Sequence, residues 1–338
     1  MSKKNLLHQA KHIIKNDGSI VQLLPGQRKC PVCGTQDGGI KRWSFECYDM
    51  VVCRNCGVMH LTPLPNIESL EHIYSNNYFN DQDQLHGYAD YAAQESLLRR
   101  TFARRLALIR QEMIRSDSWP PQHVLEIGCA LGFGLAEVQT LGNFQLFGAD
   151  ISPQAIEVCR QKGFQVSLAT VNGCVPEIKD RNSLDLIYMF DVIEHIIDIK
   201  TFLDWAFIHL TEKGFLVVTT PDMKSLENRL LGRRTPSIKI PQHLTLFDID
   251  TLQKAFAPHF ILVRHWRDFQ MVGLNTIWNR LRHIFGRAPK HEVQSERGIW
   301  FINGMRLFLF RATSQETHKP LSIQTPSAYN NSLGIRAL

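Results

Sequence analysis

Three side chains that could bind a metal or move a proton lie within five positions of one another, at Asp191, Glu194 and His195. They follow the largely apolar run 184–190, whose composition suits a buried strand. In α/β proteins ligands bind beyond the carboxyl ends of the strands, so these side chains are expected to face a site. Histidine titrates near neutral pH, which makes His195 a candidate general base. The alternative is that Glu194 and His195 only cap the next helix.

Four cysteines form two C-x-x-C pairs, Cys30 with Cys33 and Cys53 with Cys56, with 19 residues between the pairs. This spacing predicts a closed, structural zinc site, and it resembles a zinc ribbon. A redox pair or free thiols are the weaker alternative, because two such pairs lie so close together. Few basic residues flank the cysteines, so a folding or substrate-docking module is at least as strongly indicated as a nucleic-acid-binding one.

A second candidate site lies at the stretch 124–134, VLEIGCALGFG, which predicts a buried strand and a glycine-rich turn leading into a helix. Glycines let a ligand lie against the backbone, and a helix N-terminus offers unpaired N–H groups. Asp150 ends the next apolar run, where a nucleotide-binding sheet places an acid on a ribose. These features predict a nucleotide-like cofactor at the carboxyl edge of the sheet.

The turn departs from the dinucleotide fingerprint G-x-G-x-x-G, because Ala130 and Phe133 stand at its second and third glycine positions. No lysine or arginine lies near Gly128, so a cofactor with a positive sulfonium and no phosphate fits better than a pyrophosphate. Here the sequence resembles the class I S-adenosylmethionine-dependent methyltransferases. Their first motif is an acid, here Glu126, followed by glycines at alternate positions, and Ala130 departs from that pattern.

The resemblance implies a set of cofactor-binding residues. Glu126, Gly128 and Gly132 would cradle the amino-acid and ribose end, and the two oxygens of Asp150 would accept from the ribose hydroxyls. The residues implied to bind S-adenosylmethionine are Glu126, Gly128, Gly132, Asp150, Ile151 and Asp191.

The D-x-x-E-H motif at 191–195 resembles the branch that includes quinone O-methyltransferases and RNA 3′-end methyltransferases. A histidine-containing turn, here Pro241-Gln242-His243, recurs in this family and could approach the site from the opposite rim. The resemblance therefore implies Glu194, His195 and His243 as catalytic residues, with a histidine deprotonating the acceptor.

The same side chains also have the types of a second divalent-metal site, comprising Asp191, Glu194, His195 and His243. Relatives include enzymes that use a metal here to orient and acidify a hydroxyl group. We rank His195 as general base first and the metal site second.

The fold class implied is α/β, with a doubly wound seven-stranded sheet of the class I methyltransferase, Rossmann-like type and a small N-terminal zinc ribbon. The last strand, 302–310, is expected to run antiparallel to the rest.

The predicted helix 92–115 carries arginines mostly off its apolar stripe, which indicates a solvated basic face. The divisions are an N-terminal helical extension (1–27, with a helix over 5–15), the zinc ribbon (28–62), an aromatic linker and helix (63–118), the methyltransferase domain (119–312) and a loose C-terminal tail (313–338).

Composition restricts the partners. The chain of 338 residues has 44% hydrophobic residues, a net charge of +6 and a pI near 8.9. This is the profile of a soluble globular protein, and a nucleic-acid partner is not indicated. No signal peptide or membrane-spanning run is found, so a cytoplasmic location is the default. The basic amphipathic segment 270–299 could contact a membrane surface, but a packed element or a substrate lid is the better prediction.

The resulting hypothesis is a methyltransferase acting on a small-molecule acceptor at oxygen. A quinone-like phenol, a sugar or cell-envelope intermediate and RNA stay open as acceptors, with RNA less favoured. Two rival hypotheses are an NAD-binding oxidoreductase and a zinc-ribbon adaptor with an inactive methyltransferase fold. Neither the acceptor nor the oligomeric state follows from the sequence.

Overall fold

The computed structural model describes residues 28–36, 38–74, 79, 90–169, 178, 180–284 and 297–313, with the backbone of 12–14 and 20–22. The strands are β1 (His12–Ile14), β2 (Ile20–Gln22), β3 (Ile40–Phe45), β4 (Tyr48–Val52), β5 (Met59–Thr62), β6 (His123–Ile127), β7 (Gln145–Asp150), β8 (Gln165–Leu168), β9 (Leu184–Phe190), β10 (Leu210–Pro221), β11 (Thr245–Leu246), β12 (Phe260–Gly273) and β13 (Gly298–Ala312). The helices are α1 (Ile67–Ile73), α2 (Glu95–Arg115), α3 (Phe133–Gln139), α4 (Pro153–Gln161), α5 (Ile199–His209), α6 (Leu226–Leu231), α7 (Ile249–Phe256) and α8 (Leu274–Ile284).

Seven strands form the main sheet, in the order β12-β13-β10-β9-β6-β7-β8. The five strands from β10 to β8 pair in parallel, whereas β13 runs antiparallel to both β10 and β12. Apolar side chains cover both faces, with Phe202 and Phe256 in one core and Phe102 and Phe133 in the other. The predicted doubly wound seven-stranded sheet with an antiparallel last strand is therefore confirmed.

Local sequence signals position the helices that follow the strands. Ser152 caps α4 by accepting from the N–H of Ala155 at 3.3 Å, and Pro153 occupies the first helical position. Asp248 and Thr251 form a reciprocal capping box at the start of α7. Both caps are set by local sequence, and they fix where the chain turns at the carboxyl edge of the sheet.

The N-terminal segment differs from the predicted helix over 5–15. Its described part contains β1 and β2, which pair antiparallel with Ile13 opposite Val21. Two β-branched pairs flank an Asp17-Gly18 dipeptide, and both features favour a hairpin over a helix. Residues 1–11 and the predicted tail beyond 313 lie outside the described residues.

A second, four-stranded antiparallel sheet has the order β11-β5-β4-β3. Strands β3 to β5 belong to the cysteine-containing segment, but β11 comes from much later in the chain, just before α7. A separate core that includes Met50, Leu61 and Leu244 lies beneath this sheet. The segment predicted as a zinc ribbon therefore shares its sheet with the loop that follows His243.

Candidate active site

The glycine turn after β6 is shaped by backbone conformations that side chains rarely adopt. Gly128 has a φ of 75°, and a Cβ atom there would clash with Cγ2 of Val192. Ala130 also lies in the left-handed region, with a φ of 46°. It donates its backbone N–H to Oδ2 of Asp150 at 2.9 Å, which holds the turn against the end of β7.

Asp150 is buried and its carboxylate is held by two backbone donors. Oδ1 accepts from the N–H of Ser152 at 2.9 Å, while Oδ2 accepts from Ala130. Burial raises the pKa of this carboxyl group above its ordinary value. The backbone N–H of Ile151 also favours the charged carboxylate. Asp150 and Ile151 border a cavity of about 400 Å³, called here the main cavity.

Two of the predicted cofactor residues lie beneath the turn rather than on the cavity wall. A Cβ atom at Gly134 would clash with the Glu126 carboxylate, so α3 begins directly above this side chain. Burial raises the pKa of Glu126 well above its usual range, and Tyr188 interacts with it. Gly132 caps α3 with a φ of 81°, with Cys159 and Phe164 close to its Cα. Among the described residues, neither Glu126 nor Gly132 borders the main cavity.

Glu194 and His243, which are buried, form one cluster with the half-buried His195. Glu194 and His195 lie on the 3₁₀ turn Ile193–His195, and the ring of His243 meets that of His195 edge-to-face with centroids 4.7 Å apart. One ligand atom from each of the three side chains lies within 4.8 Å of the others. The backbone N–H of Leu244 donates to the Glu194 carbonyl at 2.8 Å, which joins the two loops. The structure thus brings the two predicted histidines into contact.

Burial controls the charges of this cluster. It lowers the pKa of His195 to about 4, with the charge of Lys239 acting in the same direction. Burial also holds the pKa of His243 well below its usual range. The pKa of Glu194 is raised to about 8 by burial and by the nearby charge of Asp191. At neutral pH both imidazoles are therefore uncharged, and each keeps a lone pair that can accept a proton or ligate a metal.

The contacts of His195 constrain its tautomer. Its Nδ1 lies 2.8 Å from the Tyr74 hydroxyl oxygen and 3.0 Å from the carbonyl oxygen of Gln242. A carbonyl only accepts, so the hydrogen bond to Gln242 requires a proton on Nδ1. In that tautomer the lone pair lies on Nε2, which is the nitrogen a general base would use.

Asp191 lies apart from the cluster, which corrects its prediction as a member of the metal site. Its φ is 62°, and the hydroxyl of Thr219 donates to Oδ1 at 2.5 Å. The Arg105 guanidinium contacts Oδ2 at 3.4 Å. Among the described residues, the group with metal-binding geometry here contains Glu194, His195 and His243 but not Asp191. Asp191 still borders the main cavity.

Arg105 is a site residue that the sequence analysis placed on a solvated face. It is fully buried, and its guanidinium binds Asp268 at 2.5 Å as well as Asp191. The Phe190 ring lies 4.9 Å from the guanidinium carbon, which adds a cation–π contact. Helical spacing could have identified Arg105 as buried. It lies three residues after Phe102 and four before Ile109, on the buried face of α2.

A single cavity of about 400 Å³ connects these groups. Gly128, Ala130 and Asp150 border one end, and His195 and His243 border the middle. The far wall comes from α6, α8 and the adjoining ends of β12 and β13, where apolar side chains outnumber the polar Glu227, Gln270, Thr276 and Asn303. Its apolar side chains are Leu231, Met271, Val272, Ile277, Phe301, Ile302 and Met305.

The four predicted zinc ligands also lie together. Sγ of Cys30 is 3.5 Å from that of Cys56, and Sγ of Cys33 is 3.5 Å from that of Cys53. One sulfur from each cysteine lies within 4.8 Å of the others. A tetrahedral ion with zinc–sulfur bonds of about 2.3 Å needs sulfurs about 3.8 Å apart, so this donor set fits zinc.

The sheet order and the cavity at its carboxyl edge are those of the class I S-adenosylmethionine-dependent methyltransferases. A family model described as a methyltransferase domain matches residues 89–258, half of the chain, and the chain belongs to this family. It is an S-adenosylmethionine-dependent methyltransferase.

Two relatives are both named ubiquinone biosynthesis O-methyltransferase. The chain is 32% identical over 99 residues to that of Bradyrhizobium diazoefficiens, a match covering 29% of this chain and 39% of that enzyme. It is 26% identical over 197 residues to that of a Chelativorans species, covering 53% of this chain and 78% of that enzyme.

Solved structures of low sequence identity resemble the chain. A methyltransferase from Thermotoga maritima is 15% identical with a TM-score of 0.45, and the match covers 72% of this chain and 99% of that one. The YcgJ protein from a Bacillus is 16% identical with a TM-score of 0.43, over 62% of this chain and 97% of that one.

None of the helices in the described part of the chain is long and apolar enough to cross a membrane.

Proposed function

We propose that the enzyme transfers a methyl group from S-adenosylmethionine to a hydroxyl oxygen of a small, largely apolar acceptor. One observation carries this proposal: a single cavity leads from Asp150 and the glycine turn, past two uncharged histidines, to an apolar wall. A cavity of this kind can bind both reactants and exclude water from between them.

In this proposal Asp150 accepts hydrogen bonds from the ribose hydroxyls with lone pairs that its backbone donors leave free. Gly128 and Ile151 lie against the cofactor, and Asp191 lies near its amino-acid end. Glu126 and Gly132 support the turn from beneath and do not touch the ligand. These roles follow from which side chains border the cavity.

The chemistry is an in-line displacement. Nε2 of His195 would take the hydroxyl proton of the acceptor as its oxygen gains the methyl group. When bound, S-adenosylmethionine would supply that methyl group, and its sulfur would keep both electrons of the carbon–sulfur bond. The enzyme supplies alignment and a base, and His243 and Glu194 orient the base.

The acceptor class is inferred from the far wall and from the relatives. Side chains such as Met271, Ile302 and Met305 favour a ring or chain of low polarity. Both curated relatives carry a name that places them in ubiquinone biosynthesis as O-methyltransferases. A phenolic hydroxyl on a largely apolar molecule satisfies both observations.

A second candidate for the chemistry is metal-assisted transfer. Glu194, His195 and His243 offer one carboxylate and two imidazoles within 4.8 Å, and this donor set suits a divalent transition metal. When bound, such an ion would lower the pKa of a hydroxyl acceptor. The His195 base ranks first, because its second nitrogen already has partners in Tyr74 and Gln242.

A separate structural zinc ion completes the proposal. Cys30, Cys33, Cys53 and Cys56 hold it, and their spacing and sulfur positions support this assignment. A closed thiolate site of this kind contributes to folding and leaves no open position for a substrate.

The test is transfer of radiolabelled methyl groups to a matched set of probes: a catechol, the same catechol with an alkyl chain, and its dimethyl ether. Labelling of both catechols, with the alkyl form preferred and the ether inert, is expected. Equal labelling of the ether, or of a polar sugar in preference, would contradict an apolar hydroxyl acceptor. Repeating the reaction in chelator with the thiolate zinc retained separates the two mechanisms, since full activity excludes the metal-assisted one.

A further inference from the structure

We propose that the cysteine module, defined as residues 28–62, is a working part of the catalytic site. It holds the loops that carry His195 and His243 at a fixed separation, with Arg28 as the positioning residue. The inference deepens the proposed function and rests on it, because it assigns the module to the histidine pair and not to a separate partner.

Arg28 joins the two catalytic loops directly. Its Nη1 donates to the carbonyl of Leu244 at 2.8 Å, one residue after His243. Its Nη2 donates to the carbonyl of Ile197 at 3.2 Å, two residues after His195. One planar guanidinium thus spans both loops, and its rigid fork sets their distance in a way that a flexible ammonium could not.

The sheet of the module provides a second, independent connection. β11 begins two residues after His243 and pairs with β5, with Thr245 opposite His60. The N–H of Leu61 donates to the Leu244 carbonyl at 2.9 Å, which extends this pairing toward the histidine. The segment after His243 is therefore an edge strand of the module.

Two further contacts involve the cysteines of the module and the chain that follows the module. The ammonium of Lys254 on α7 donates to the carbonyl of Cys56 at 3.2 Å. Beyond the module, Tyr74 follows α1 and places its hydroxyl 2.8 Å from Nδ1 of His195. The module itself therefore contacts α7, and the chain that follows it contacts the catalytic cluster.

These contacts connect the zinc site to the histidines through a short path. Arg28 stands two residues before Cys30, and β5 begins three residues after Cys56. Ordering of the four cysteines by zinc therefore fixes both Arg28 and β5. The cofactor end of the cavity, at Gly128 and Asp150, receives none of these hydrogen bonds among the described residues.

The test uses the imidazole ¹⁵N signals of histidine-labelled full-length protein, assigned with His195→Gln and His243→Gln. Arg28→Met should move the signals of His195 and His243 and leave that of His265 unchanged. Lys29→Met is the matched control, because this exposed neighbour carries the same charge on the same segment. Turnover of the alkyl catechol should fall by about 100-fold, since small misplacements of reacting groups cost that much.

Ligand binding at the cofactor end of the cavity distinguishes failure of the proposed function from failure of this inference. S-adenosylhomocysteine affinity, measured by calorimetry, should be the same in wild type and Arg28→Met. Failure of the wild type to bind it overturns the proposed function. Normal binding with unmoved His195 and His243 signals in Arg28→Met overturns this inference alone.

Two further samples keep the inference testable if Arg28→Met does not fold. Arg28→Lys keeps the charge but loses the fork, and smaller movements of the same two signals are expected. Extraction of zinc from the wild type should also move those two signals. Signals at the wild-type positions in both samples would contradict the inference.

Discussion

Buried titratable side chains at the centre of the cavity are held in their uncharged forms. Burial raises the pKa of Glu194 and lowers those of His195 and His243. Because all three side chains are then uncharged, they lie close together without strong electrostatic repulsion. Residue types after the buried strand 184–190 predicted Glu194 and His195 as site residues, whereas His243 was implied only by the family resemblance. Asp191 could not be separated from it by sequence, since only the left-handed backbone at this residue turns it toward Arg105.

The raised pKa of Glu194 predicts a pH dependence of stability in protein treated with chelator. The folded-state value of about 8 lies above the ordinary 4.5, so the unfolded chain loses this proton first as pH rises. The free energy of unfolding should therefore fall between these two pH values. Denaturant titrations should show a smaller fall in Glu194→Gln than in wild type, and an equal fall in both would contradict burial as the cause.

Substitution of Arg105 should cost much more stability than substitution of its neighbour Arg104. Arg105→Met leaves Asp268 buried without its closest cation and should cost about 3–5 kcal/mol of stability. Arg104→Met is the control, because Arg104 is partly exposed and lies 4.0 Å from the same aspartate. It should cost about 1 kcal/mol or less. Equal losses in urea unfolding would show that Arg105 has no special structural role.

Among the elements, those with strong local signals were predicted well. Apolar runs located the strands β6, β7 and β9, because this signal acts within a few residues. The pairing of β11 with β5 was missed, since it joins segments far apart in the chain. The predicted helix over 5–15 was wrong for residues 12–14, which pair with 20–22 in β1 and β2, because β-branched residues on both sides of Asp17-Gly18 favour strands.

The far wall, which includes the ends of β12 and β13, should determine how strongly the enzyme prefers an apolar acceptor. Ile302 borders the cavity, whereas Ile299 on the same strand is 48% exposed. Ile302→Ala should lower kcat/KM for the alkyl catechol by about 10- to 100-fold, because the loss of methylene contacts in an apolar pocket costs about 1–3 kcal/mol. The unsubstituted catechol should be affected less. Ile299→Ala should leave both values unchanged, and an equal loss in that control would argue against this wall as the acceptor site.

For the whole molecule, contacts of Arg28 and β5 join the cysteine module to the loops that carry His195 and His243. The sequence analysis divided them at residue 62, since spacing alone identifies the zinc ligands and says nothing of what they pack against. The fold, the cofactor and the reaction class could be predicted from motifs. The route from the cysteines to the histidines required the tertiary contacts of Arg28 and β11.

Zinc should stabilise this whole unit. Purified protein is expected to contain about one equivalent, and Cys30→Ser combined with Cys33→Ser should abolish it and lower Tm. Cys47→Ser is the control, because Cys47 is not a member of the four-cysteine group. Elemental analysis gives the metal content. Metal-free wild type with an unchanged Tm would contradict a structural zinc site.

Calorimetric titration of S-adenosylhomocysteine tests the division of the cavity into a cofactor end and a histidine end most directly. Wild type should bind one equivalent, and Gly128→Val should bind none, because its side chain would clash with Val192 and fill the turn. His195→Gln should keep wild-type affinity while losing methyl transfer to the catechol probes. Undiminished binding by Gly128→Val, or lost binding in His195→Gln, would contradict the account.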